Sequence, residues 1–138
     1  MAESTTSKET LFTKIIKREI PAHIVYEDVH TLAFLDIMPV EKGHTLVVPK
    51  KVYETIMEMP ETEYLHLQSV VLKLAKHLEK KLKCGLNIWV NNKAIAGQEI
   101  PHVHVHLVPR TLQIPIQIPR THTYAEGEIE KVAKDLRL

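Results

Sequence analysis

The sequence predicts an α+β domain built on an antiparallel sheet of about five strands. Three observations predict it. Short runs rich in β-branched and aromatic residues follow one another across tight polar turns, as in HIVYED (23–28) and TLAFLDI (31–37). The stretch HVHVHLV (102–108) alternates at period two, so its odd and even side chains point to opposite faces of a strand. A long segment from about Glu61 to Lys83 carries Leu67, Val71, Leu74, Leu78 and Leu82 at spacings of three and four, the apolar stripe of an amphipathic helix.

The elements follow in order. After a polar tail (1–8), Thr6 to Glu9 offers a capping box for a helix carrying Leu11, Phe12, Ile15 and Ile16, which Pro21 ends. HIVYED and TLAFLDI read as a hairpin turning at Asp28 to His30, PVEKG as a loop, and HTLVVPK (44–50) as a third strand. The long helix and then GLNIWVNN (85–92), a fourth strand, follow. KAIAGQEIP is a loop that delivers the chain into the histidine row. IPIQIP (114–119) carries prolines that cannot donate to a ladder, so it is an arm or an edge. A capping box at Thr123 and Glu126 opens a terminal helix with Ile129, Val132, Ala133 and Leu136 on one face. No linker splits the chain: residues 9–138 form one domain, of which 111–138 are a C-terminal arm and helix.

Composition narrows the function classes. The chain has 138 residues, 44% hydrophobic and 25% charged, with a formal net charge of +1. That charge supplies no field to attract nucleic acid, and the basic run KLAKHLEKKLK (73–83) reads as the solvated face of the long helix. The N-terminus lacks the apolar stretch of a signal peptide and no run reaches membrane-spanning length, so a cytoplasmic protein without membrane partners is expected. The single cysteine, Cys84, excludes a disulfide within the chain and reads as a small hydrophobe.

Nine histidines are unusual, and three stand in register at His102, His104 and His106. Three adjacent imidazoles gain little from burial and repel when protonated, so packing alone does not account for them. A zinc site is one reading, completed by His106 or His44, although Glu99 is the one acidic neighbour able to orient such ligands. A satisfied structural row is a second. The third is nucleophilic attack by a neutral imidazole on phosphorus, with neighbouring histidines donating to phosphate oxygens and the Gly97 loop presenting backbone N–H groups.

HVHVHLV matches the His-φ-His-φ-His-φ-φ pattern (φ apolar) of the histidine triad, or HIT, superfamily of nucleotide hydrolases and transferases. FTKIIKREIPAHIVYED, LAFLDIMPVEKGHTLVVPKK, VNN and AGQ are similar to segments of its histidine triad nucleotide-binding branch, in the same order. The resemblance spans roughly Leu11 to Arg110. It implies the HIT fold and a homodimer formed partly through the long helix and GLNIWVNN. It implies His104 as nucleophile, oriented by His102, with His106 near the α-phosphate and His44 as the fourth histidine. Asp36, with Ile37 beside it, falls at the ribose. Asn91 and Gln98, with the backbone at Gly97 and Glu99, fall at the α-phosphate. The remaining histidines, His23, His30, His66, His77 and His122, match no motif position and read as surface residues.

The resemblance further implies a metal-free reaction without cofactor, in which a purine nucleoside phosphoramidate is cleaved through a nucleotidyl-histidine to give a monophosphate such as AMP. Hydrolysis of dinucleoside polyphosphates is the alternative, and a nucleotide-binding adaptor with incidental catalysis a second. The chain departs from the pattern in three places. It lacks the Cys-x-x-Cys and the histidine after Pro-Lys-Lys that bind structural zinc in some relatives, Val52 following Lys51 here. Glu99 replaces a small hydroxyl residue. The Trp-Pro-Pro-Gly-like tail is missing.

Overall fold

The computed structural model describes residues 9–111, 116 and 118–138. Strands β1 (Ile24–Glu27), β2 (Thr31–Leu35), β3 (Thr45–Pro49), β4 (Gly85–Val90) and β5 (Val105–Arg110) form one antiparallel sheet in the order β1-β2-β3-β5-β4. Helix α1 (Leu11–Ile16) precedes the sheet, α2 (Glu61–Leu82) separates β3 from β4, and α3 (Glu128–Leu136) ends the chain. This is the expected α+β fold.

The sheet separates two apolar clusters. On one face Ala33, Val47, Val105 and Leu107 pack with Val103 against Leu67, Val70, Val71 and Leu74 of α2. On the other, Leu32, Phe34, Leu46 and Val48 pack with Phe12 and Ile15 of α1. Burying each such side chain stabilises the fold by about 1.5–3 kcal/mol, so α2 alone anchors its face of the sheet. The stripe of α2 holds as far as Leu78, while Leu82, at the helix end, is 41% exposed.

Four expectations are corrected. The first helix is capped by Thr10 in a capping box with Thr13; Thr6 lies outside the described residues. That helix stops at Lys17, because Arg18 turns left-handed (φ 65°), well before Pro21. Regular strand pairing in the histidine row begins only at Val105, so His102, in a bend, and His104 precede β5. The terminal helix starts at Glu128 after a left-handed Gly127, and Thr123 does not cap it; the Glu128 carboxylate accepts the Ala125 N–H instead. Its apolar face is not part of the core, Ile129 being 52% and Leu136 75% exposed. Of the IPIQIP arm, Ile114, Pro115 and Gln117 lie outside the described residues, and Ile116, Ile118 and Pro119 are exposed.

Candidate active site

The alternation read from the sequence places Val103, Val105 and Leu107 in the α2 cluster and turns the three histidines the other way, toward α1. Each ring is then held by a specific partner. His102 is fully buried between the Pro49 carbonyl, 2.8 Å from its Nε2, and the Thr10 hydroxyl, 2.9 Å from its Nδ1. A carbonyl only accepts, so Nε2 carries the proton and Nδ1 accepts from Thr10. Thr10, which also caps α1, thereby ties that helix to the histidine row.

His104 repeats the logic. Its Nδ1 lies 2.7 Å from the His102 carbonyl and must donate, which leaves the lone pair on Nε2. Among the described residues Nε2 has no hydrogen-bond partner, yet no fully buried side-chain nitrogen or oxygen is left unpaired. That nitrogen therefore reaches the cavity that His104 lines. Phe12 packs edge-on against both His102 and His104, at centroid distances of 5.7 and 4.9 Å.

The third and fourth histidines form a relay. Val40 N–H donates to His44 Nδ1 at 3.0 Å, so His44 carries its proton on Nε2 and donates to His106 Nδ1 at 2.9 Å. His106 is thus an Nε2–H donor, and its ring is stacked on Trp89 of β4 at 5.0 Å. The turn before His44 needs Gly43 in the left-handed region (φ 89°), where a Cβ would also lie 3.1 Å from both Leu82 and Pro109. Burial, foremost, lowers the pKa of His44, His102 and His104, and burial with the neighbouring histidines lowers that of His106 to about 4. All four rings are neutral at pH 7, the form a nucleophile and its neutral donors require.

Asp36, next after β2, accepts the Met38 N–H through Oδ1 and points Oδ2 at His44 Nε2, 3.8 Å away. Ile37 is 82% exposed at the cavity rim. Asp36, His44 and His106 bring three possible ligand atoms within 4.8 Å of one another, the one such group among the described residues. A metal ion there would have to displace the proton of the His44–His106 hydrogen bond.

The Gly97 loop is braced by side-chain amides. The Gln98 side chain is buried and fully engaged, accepting from Lys93 N–H at 2.7 Å and donating to the Glu54 carbonyl at 2.6 Å. It holds Lys93 at φ 79°, a conformation rare outside glycine. Asn91 donates to the Gly97 carbonyl at 3.4 Å. Gly97 itself turns at φ 93°. Both amides thus shape the loop, whereas the Glu99 N–H has no partner among the described residues and remains available to a ligand. Thr10, Phe12 and Trp89 were not singled out in the sequence; the threonine before an apolar helical run was a usable signal for the first, and nothing local marks the other two. Of the remaining histidines, His23, His30, His77 and His122 are exposed, and His66 is half-exposed and bonded to Asp28 at 2.9 Å. No helix among the described residues is long and apolar enough to cross a membrane.

The cavity has a volume of about 410 Å³ and is floored by Phe12, Ile15, Phe34 and Leu46, with His104, His106, Asp36 and Glu99 at its polar end. The chain is 55% identical over 100 residues to an uncharacterised HIT-like protein of Methanocaldococcus jannaschii, covering 72% of this chain and 78% of that one. It is 39% identical over 110 residues to the adenosine 5'-monophosphoramidase HNT1 of Saccharomyces cerevisiae, covering 79% and 67%. A crystal structure of a HIT family member from Bacillus subtilis superposes with a TM-score of 0.84 at 35% identity, covering 94% of this chain and 95% of that one. The family model for the HIT domain matches residues 17–112, the whole sheet and the whole histidine row, and the chain belongs to the HIT domain family.

Proposed function

We propose that the protein is a nucleotidyl hydrolase that cleaves purine nucleoside phosphoramidates through a nucleotidyl-histidine, without a metal ion. The observation that carries the reading is the His104 tautomer, with Nδ1–H committed to a backbone carbonyl and the Nε2 lone pair at the cavity. Nε2 attacks the α-phosphorus, and the P–N bond to the leaving amine breaks as that nitrogen takes a proton from solvent. The positive charge left on the imidazole is spread through Nδ1–H onto the His102 carbonyl. Water then attacks phosphorus, the bond to Nε2 breaks, and the nucleoside monophosphate leaves. His106 Nε2–H and the Glu99 N–H donate to the phosphate oxygens, the positioning and charge stabilisation on which phosphoryl transfer depends. Asp36 takes the ribose hydroxyls, and the apolar floor takes the base.

The similarity to a yeast adenosine monophosphoramidase supports the amine as leaving group. The test is hydrolysis of adenosine 5'-phosphoramidate in EDTA, comparing wild type with His104→Ala. Turnover in EDTA that falls by roughly 10⁴-fold or more in the variant is expected, the scale of losing a nucleophile. Folded wild type without turnover would refute the phosphoramidase reading and send the test to dinucleoside polyphosphates, with failure there leaving the adaptor; activity restored only by added metal would refute the metal-free reading. We also propose a homodimer. β4 is an edge strand with Ile88 47% exposed, and Leu65 and Leu72 of α2 are each 56% exposed. Sedimentation should give twice the 15.8 kDa chain mass; a monomer at micromolar concentration would refute it.

A further inference from the structure

We infer that Glu99 makes this site selective for phosphoramidates whose leaving amine carries a second, remote positive charge. The inference rests on the phosphoramidase reading and adds to it the class of leaving group.

Among the described residues, the cavity lining contains two charged side chains, Asp36 and Glu99, and no lysine or arginine. Its histidines are neutral, so no fixed cation offsets the two carboxylates. The two are not equivalent. Asp36 is engaged by the Met38 N–H and faces His44 Nε2. Glu99 is exposed and, among the described residues, has neither a hydrogen-bond nor an ion-pair partner. It stands two residues after the Gly97 turn, and its charge favours the protonated form of His104. A carboxylate near enough to act on the nucleophile also acts on the group that departs from the same phosphorus.

Two consequences follow from sign alone. A nucleoside di- or triphosphate leaving group would bring several negative charges toward an unpaired carboxylate with no cation in the lining to receive them. An amine with a distant ammonium group would meet that carboxylate with the opposite sign, at an exposed position where one ion pair changes a rate by roughly fivefold at low salt. The absence of lysine and arginine among the described lining residues weighs more than the ion pair. A site selected for polyphosphates would be expected to place basic side chains along the chain of phosphates.

The experiment compares two adenosine 5'-phosphoramidates of near-equal shape, one releasing 1,3-diaminopropane and the other n-butylamine. The readout is the ratio of their kcat/KM values in wild type, Glu99→Gln and Glu99→Lys. Wild type should prefer the diamine by roughly fivefold at low ionic strength, and about 0.5 M salt should erase most of that preference. The ratio should fall to near one in Glu99→Gln and below one in Glu99→Lys. An unchanged ratio in both variants, or a wild-type ratio of one, would overturn the role of Glu99 while leaving the phosphoramidase standing. Folded wild type that turns over neither compound would instead take down the phosphoramidase reading itself.

Discussion

Leu107 and His106 are neighbours on β5 and belong to different machines. Leu107 faces α2 at zero exposure among Val47, Val105 and the α2 leucines, with apolar neighbours throughout. His106 faces the other way, bonded to His44, stacked on Trp89 and open to the cavity through Nε2. One face of the strand stabilises the fold and the other holds the chemistry, and the strand's alternation keeps them apart by a single residue. The difference teaches that the two can be damaged separately. An imidazole on the reactive face is costly to bury, and it is tolerated because each ring nitrogen that is buried has a partner.

The largest effect expected on the packed face comes from Leu107→Ala. Truncating a fully buried leucine costs about 3 kcal/mol, within the usual range of roughly 2–5. Urea titration should move the unfolding midpoint down accordingly, while kcat per folded molecule stays within about threefold of wild type. His104→Ala should do the converse, losing turnover with little change of midpoint. If Leu107→Ala also loses turnover in the folded fraction, the two faces are coupled through the strand and the comparison fails.

The same division explains what the sequence made legible. Period-two alternation and the helical stripe depend on neighbours in the chain, so the five strands, the long helix and the outward turn of the histidines were readable from residue order. The Leu-Asp-Ile and Gly-His-Thr segments were readable because a family pattern names them, and the structure brings Asp36, His104 and His106 to one cavity with His44 buried behind them on His106. What was not readable depends on distant partners. Thr10 bonds His102 across 92 positions, and Gln98 reaches Glu54 across 44, so the bracing of the loop by Gln98 could not be read from neighbouring residues. The start of pairing at Val105 is set by the register with Val47 and Val90. The start of α3 is set by Gly127 turning left-handed after a threonine that looked like a cap.

The smaller effect, acid sensitivity, sharpens the comparison because it should strike only the histidine face. Burial holds His44, His102, His104 and His106 below the ordinary histidine value, His106 at about 4. In the unfolded chain these rings take up protons below about pH 6.5, and in the folded protein they resist doing so. Unfolding therefore binds protons in that window, and stability falls as pH is lowered. For His106 the loss starts near 6.5 and ends near 4, where both states are protonated, with a slope of at most about 1.4 kcal/mol per pH unit. Asp28, lowered to about 2 by the backbone N–H groups of His30 and Thr31, the Tyr26 hydroxyl and His66 against the opposing effect of burial, titrates below this window. The melting temperature of wild type should drop between pH 7 and pH 5, and His106→Gln should flatten part of that drop. Because burial disfavours the protonated form of His104, activity should persist to lower pH than a freely exposed imidazole would allow. A melting temperature indifferent to pH between 7 and 5, or one as steep in His106→Gln as in wild type, would mean that the histidines are not the groups resisting protonation. The cluster packed around Leu107 consists, among the described residues, of apolar side chains and tyrosines, so pH dependence that survives removal of the four histidines comes from outside both faces of the strand.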